Sequence, residues 1–146
     1  VQDRLPIIIG GTAKPRSVRN AIRWADEYNT VFPSLDEVRR RRAAVDRAAE
    51  EAGRDPLVFS VMTGCLIGRD EAELHDRARR LMELSGEDGD VGAYVDGLRD
   101  AWVVGTVEQA AQRLVEIEAA GAERIMLQNQ LHTDLDMVAL IASLQD

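Results

Sequence analysis

Apolar residues enter this chain in two rhythms, short dense runs and a three-to-four spacing, and the alternation between them sets out its elements. Residues 5–9 form an apolar, β-branched run that Gly10-Gly11 cuts off, which predicts a short buried strand. Pro15 suits the first turn of a helix. From there Val18, Ile22 and Ala25, with Ala21 beside them, fall on one face, while Arg16, Arg19 and Arg23 take the other. Residues 28–32 read as a second strand. Ser34 and Glu37 then form a reciprocal cap that opens a helix over 35–52, stopped by Gly53. A long apolar run at 57–67 is a third strand, in which Gly64 marks a bend or a close approach.

Asp70 and Glu73 make an acidic helix start that leads into 74–84, and "SGEDGD" at 85–90 is a flexible break. A short helix is expected over 91–101. "WVVGT" follows with no element assigned to it, and Thr106 and Gln109 form a capping pair for a helix over 107–120 that ends at Gly121. Residues 124–127 give a fourth strand, and a helix over 135–144 closes the chain. The order βα-βα-βα(α)-βα calls for parallel strands wrapped by helices, an α/β fold. Four such units are half of a (β/α)8 TIM barrel, which typically takes about 250 residues. An open flavodoxin-like sheet is the generic alternative. At 146 residues a single domain over 1–146 is expected.

Composition narrows the function classes. The formal net charge of −8 argues against a general nucleic-acid binder, and no apolar run reaches the ~20 residues of a membrane span. Hydrophobic content of 45% and charged content of 30% are those of a soluble globular protein. The single cysteine, Cys65, has no internal disulfide partner, so a cytoplasmic location is the expectation. Lys14 is the one lysine against 17 arginines, a bias that points to GC-rich coding. The chain opens at Val1 without a methionine and meets a strand almost at once, from which a piece of a longer chain is expected. The run Arg39 to Arg42 reads as a solvated helix face, because consecutive helical residues point around the whole cylinder.

Candidate chemistry centres on Gly10, Gly11 and Thr12. A strand end followed by a helix start offers free backbone N–H groups and a positive dipole end, a setting suited to phosphate. Lys14 and Arg16 can add charge from the rim. The same two glycines also satisfy a plain strand-to-helix turn. No catalytic residue is assigned. His75 and His132 lie far apart and Cys65 stands alone, so no metal site is expected. Asp88 and Asp90 begin a calcium-loop spacing that fails at its twelfth position, Arg99, where a glutamate is needed. Cys65 reads as a small core residue, His75 as a surface residue, His132 as a loop residue, and Trp24 and Trp102 as helix-face packing.

Three stretches together resemble the bacterial luciferase-like monooxygenase family of flavin- and deazaflavin-dependent oxidoreductases. They are "IIIGG" followed by a helix and "WADEYN", "VVGTVEQAAQRLVEIEAAGAERIMLQ" at 103–128, and, more weakly, "AAEEAGRDP" before an apolar strand. The resemblance implies the C-terminal half of a TIM barrel, strands five to eight, with the first half missing. It implies coenzyme F420 or FMN as cofactor, with the GC-rich coding bias, a hint of an actinobacterial source in which the deazaflavin is common, leaning towards F420, and a small-molecule substrate. It also implies that Gly10, Gly11 and Thr12 hold the cofactor phosphate, that Asn29 and Thr30 contact the phosphate or its tail, and that Phe32 lines the pocket. The acid–base residues of the family come largely from the absent half, so this chain alone is expected not to turn over. Unpaired outer strands predict a homo-oligomer or pairing with the missing N-terminal half. The alternative is a non-catalytic module, either flavin-binding or oligomerising.

Overall fold

A computed structural model describes residues 4–145; Val1 lies outside them. Packing divides these residues into two compact units, one of residues 4–62 with 117–126 and one of 63–116 with 127–145.

The first unit holds β1 (Ile8–Gly10), α1 (Pro15–Trp24), β2 (Glu27–Val31), α2 (Leu35–Glu51) and the first half of β3 (Val58–Gly68). The strands are parallel, with Ile9 opposite Tyr28, Gly10 opposite Asn29 and Tyr28 opposite Phe59. Alternation along β2 sends Tyr28 and Thr30 to one face and Asn29 to the other. Tyr28 and Phe59 stack with centroids 6.1 Å apart, in a core with Ala21, Val38 and Val45. Ser34 caps α2 as expected, accepting from the Glu37 N–H at 3.3 Å while Glu37 accepts from the Ser34 N–H at 3.1 Å. The Ser34 N–H is the main influence holding the Glu37 carboxyl below its ordinary range; burial opposes it, and Arg41 and Arg40 add to it.

Three expectations are corrected in this unit. The first strand is not buried: Ile7 and Ile8 are 44% and 49% exposed, because among the described residues β1 has only β2 beside it. Trp24 is not packed but 56% exposed at the end of α1, with the Arg23 guanidinium 4.7 Å from its ring. Arg41 leaves the solvated run and is buried, where it donates to Glu37 and to the Thr30 hydroxyl.

The second unit holds the rest of β3, α3 (Glu71–Ser85), α4 (Val91–Leu98), β4 (Val103–Thr106), α6 (Leu135–Ala142) and a closing 3-10 turn, Ser143–Gln145. Besides β3, two elements belong to both units, α5 (Val107–Ala119) and β5 (Arg124–Asn129), and β5 also pairs with β3. Here β4 is a strand at a stretch for which the sequence pattern predicts no element. It pairs parallel to β3, with Cys65 opposite Val103 and Ile67 opposite Gly105. Thr106 and Gln109 cap α5 reciprocally, as expected. The result is an α/β fold with a parallel sheet and six helices, in which the four expected βα units recur and β4–α5 is an additional one. Among the described residues no helix is long and apolar enough to cross a membrane.

Candidate functional site

The first unit brings the C-terminal ends of β1 and β2 side by side, and the turn from Gly10 to Lys14 lies there. Gly11 donates its N–H to the Asn29 carbonyl at 3.0 Å, continuing the β1–β2 ladder by one residue. Ala13 donates its N–H to the Tyr28 hydroxyl at 2.8 Å. Ser17 Oγ donates to the Lys14 carbonyl at 2.9 Å and therefore accepts from Tyr28, whose oxygen is also 2.9 Å away. The Tyr28 hydroxyl thus joins the turn to the first turn of α1.

The two glycines have different reasons to be there. A Cβ on Gly11 would stand 2.8 Å from the Tyr28 hydroxyl and 3.0 Å from Ser17, so packing inside the protein requires glycine. A Cβ on Gly10 would meet only the Asn29 carbonyl, at an ordinary 3.7 Å. Neither residue has a positive φ. Internal packing therefore accounts for Gly11 and leaves Gly10 unexplained.

Several groups at this turn remain available to a ligand. Thr12 is exposed and has no hydrogen-bond partner among the described residues. The N-cap residue of α1, Lys14, supplies no side-chain cap, and the first turn carries no acidic residue. The N–H groups of Arg16 and Ser17 lie at that helix start, where no intrahelical acceptor exists. Lys14 and Arg16 are both exposed beside it.

The backbone is strained on both sides of this rim. Ala13 has φ 55° and Phe32 φ 44°, and these are the positive-φ residues other than glycine among the described residues. For a bulky side chain such a conformation costs about 1–2 kcal/mol. It is held by the Ala13 bond to Tyr28 and by a 2.9 Å bond from the Phe32 N–H to the Met62 carbonyl. Phe32 itself is 37% exposed.

The remaining expected site residues divide. Asn29 is buried and its amide donates to Ser60 Oγ at 2.8 Å. Thr30 is fully buried on the opposite face of β2, with its hydroxyl taken by Arg41. Its side chain therefore supports α2 and does not reach the turn. The residues that sequence reasoning missed are Tyr28 and Ser17, which fix the turn. Tyr28 looked like ordinary strand filling, and no local signal marked its hydroxyl.

The second unit offers less chemistry. Cys65 is buried, and desolvation pushes its thiol up to about 12, which keeps it protonated. His132 is exposed between β5 and α6, and His75 is half-buried on α3. Among the described residues no group of three metal-ligating side chains assembles. An open groove of about 660 Å³ is lined in part by Arg99, Trp102, Gln112 and Val115, and holds none of the candidate residues. Buried Arg77 spans the Ile67 carbonyl, at 2.9 Å, and the Asp134 carboxylate, at 3.1 Å. Burial alone would raise the Asp134 pKa. The bond from Arg77 and the Met137 N–H outweigh it and, with Arg80, hold the carboxyl down to about 2.

Comparison with known proteins gives the turn a context. The profile of a family described as luciferase-like monooxygenase matches residues 1–124. Comparison with curated proteins finds no match. Among solved structures, the chain is similar to the EDTA monooxygenase of a Chelativorans species at a TM-score of 0.67 and 21% identity, over 94% of this chain and 43% of that one. It is similar to the coenzyme F420 dependent tetrahydromethanopterin reductase of Methanopyrus kandleri at 0.59 and 16%, over 84% and 44%. A third is the oxygenating constituent of a Pseudomonas putida 3,6-diketocamphane monooxygenase in complex with FMN, at 0.60 and 16%, over 88% and 43%. The chain thus spans less than half the length of each of these structures.

Proposed function

Because the chain belongs to the luciferase-like monooxygenase family, we propose that it is part of a flavin- or deazaflavin-dependent oxidoreductase and carries the seat of the cofactor phosphate. Gly10 is the observation that carries this reading, since a residue that packing does not require to be glycine lets an anion approach the backbone. The residues fit such a group. The Thr12 hydroxyl and the N–H groups at the start of α1 would face the phosphate oxygens, the helix dipole would favour their charge, and Lys14 and Arg16 would balance it. Gly11 and Tyr28 keep the turn in shape, and Phe32, with Asn29 behind it, would border the seat. The candidates for the cofactor are coenzyme F420 and FMN, each named for one of the similar structures. The bound ring would supply the redox chemistry. This chain's residues would bind and orient it, and no acid–base group is assigned to them. A small-molecule substrate and a soluble, cytoplasmic setting belong to the same reading.

The test is calorimetric titration with FMN and with riboflavin, which lacks the phosphate, on the wild-type chain and on Gly10→Asp. The reading expects FMN to bind at least tenfold more tightly than riboflavin and Gly10→Asp to remove that difference. Equal affinity of the two ligands for the wild type would refute it.

A further inference from the structure

We propose that the outer face of α1 is a binding surface for a chain of carboxylates attached beyond the cofactor phosphate, which selects coenzyme F420, with its oligoglutamate tail, over FMN. The inference rests on the phosphate reading above and adds the cofactor's class. Arg16, Arg19 and Arg23 stand at spacings of three and four residues, so they form one stripe along the helix. The stripe starts at the turn and extends about 10 Å, at 1.5 Å of rise per residue. All three are exposed, and among the described residues none makes an ion pair.

That is unusual in this chain. Most of its arginines are paired with carboxylates, including Arg4 with Asp26, Arg42 with Asp46 and Glu123, and Arg80 with Asp134. Arg54, although unpaired, is used, since it donates to the carbonyls of Ala21, Ile22 and Ala25 at the end of α1. The helix itself contains no acidic residue. Overall the chain carries a formal charge of −8 and repels an anionic tail, so a local row of guanidinium groups without carboxylate partners, of which Arg23 also lies 4.7 Å from the Trp24 ring, decides where such a tail is tolerated. Arg19 and Arg23 also line a groove of about 640 Å³ between α1 and α2, with Asn20, Ile22 and Ala48 as walls. Glu51 is the acidic residue of that groove, and it limits how far along α1 the carboxylates can follow. A guanidinium fork suits a carboxylate geometrically, and a flexible tail with one carboxylate per residue can offer one to each arginine.

The experiment is a fluorescence titration of the chain with coenzyme F420 bearing several glutamates and with the same deazaflavin cut back to its phosphate. It is repeated with the double variant Arg19→Gln/Arg23→Gln, which leaves the turn intact. The wild type is expected to bind the tailed form about three- to tenfold more tightly, the scale of two or three exposed ion pairs. That advantage should vanish at about 0.5 M salt, where the Debye length is roughly 4 Å. The double variant should bind both forms as the wild type binds the truncated one. Equal affinity of the wild type for the two forms, or a double variant that keeps the preference, would overturn the proposal while leaving the phosphate seat standing. Failure of the wild type to bind either form would overturn the phosphate reading together with it. Arg19→Gln alone, at an exposed site, serves as the second variant if the double one is unstable, and it should lose part of the preference.

Discussion

The Tyr28 hydroxyl accepts the Ala13 N–H at 2.8 Å, so a side chain from β2 holds in place the turn that follows β1. Through this contact the core of the first unit positions the candidate phosphate seat. Tyr28 stacks on Phe59 at one end and, through Ser17, orders the first turn of α1 at the other.

Tyr28→Phe keeps the stacking and removes the hydroxyl. The Ala13 N–H then loses its acceptor and Ser17 Oγ its donor, a change expected to lower stability by about 1–2 kcal/mol. Urea denaturation should show a lower midpoint with an unchanged slope. Phosphate affinity should fall as well, because the strained Ala13 conformation is no longer held.

Gly11→Ala and Gly10→Ala should separate folding from binding. At Gly11 the new methyl meets the Tyr28 hydroxyl at 2.8 Å, an overpacking expected to destabilise by about 1–3 kcal/mol. At Gly10 the nearest atom is 3.7 Å away, and thermal unfolding should stay within about 0.5 kcal/mol of the wild type. FMN affinity should nevertheless fall for Gly10→Ala.

The Asp134 carboxyl, held down to about 2, makes part of the second unit's stability acid-sensitive. Its folded pKa lies below the ordinary carboxylate value. The contribution is therefore complete above about pH 4 and disappears as pH falls towards 2, in total about 1–2 kcal/mol. Between pH 6 and pH 3 the wild type should lose more stability than Asp134→Asn does, read as the difference in their urea midpoints.

Cys65 should be inert in the folded protein, because burial pushes its thiol up to about 12. A colourimetric thiol reagent at neutral pH is expected to label it only after denaturant is added. Labelling of the native chain at the rate of a free thiol would contradict its place in the core. Gly64→Ala is expected to speed that labelling, since its methyl would stand 2.2 Å from the Trp102 ring and force open the packing beside Cys65.

The sequence carried whatever depends on neighbours within a few residues. The caps Ser34–Glu37 and Thr106–Gln109 could be read from spacing alone, and the structure has both. The runs around Tyr28, Phe59 and Ile125 could be read as strands because the parallel pairing of α/β folds favours β-branched and aromatic stretches. Distant contacts could not be read in the same way. Arg41 looked like one of four solvated arginines until Thr30, eleven residues away, gave it a buried acceptor. Val103 and Val104 are too short a run to signal a strand by themselves, and only pairing with Cys65 and Leu66 makes them one. At the candidate site the glycine pair was legible, but the reason for Gly11 was not, since it lies in Tyr28, seventeen residues further on. The strained φ of Phe32 leaves no trace in composition at all.

The most direct test of the phosphate seat is the amide spectrum of the 15N-labelled chain, recorded while FMN and then riboflavin are added. A seat at this turn predicts that the Thr12, Arg16 and Ser17 amide signals shift with FMN and stay in place with riboflavin. If FMN moves none of these three signals, or if riboflavin moves them equally, the Gly10–Lys14 turn is not where the cofactor phosphate binds.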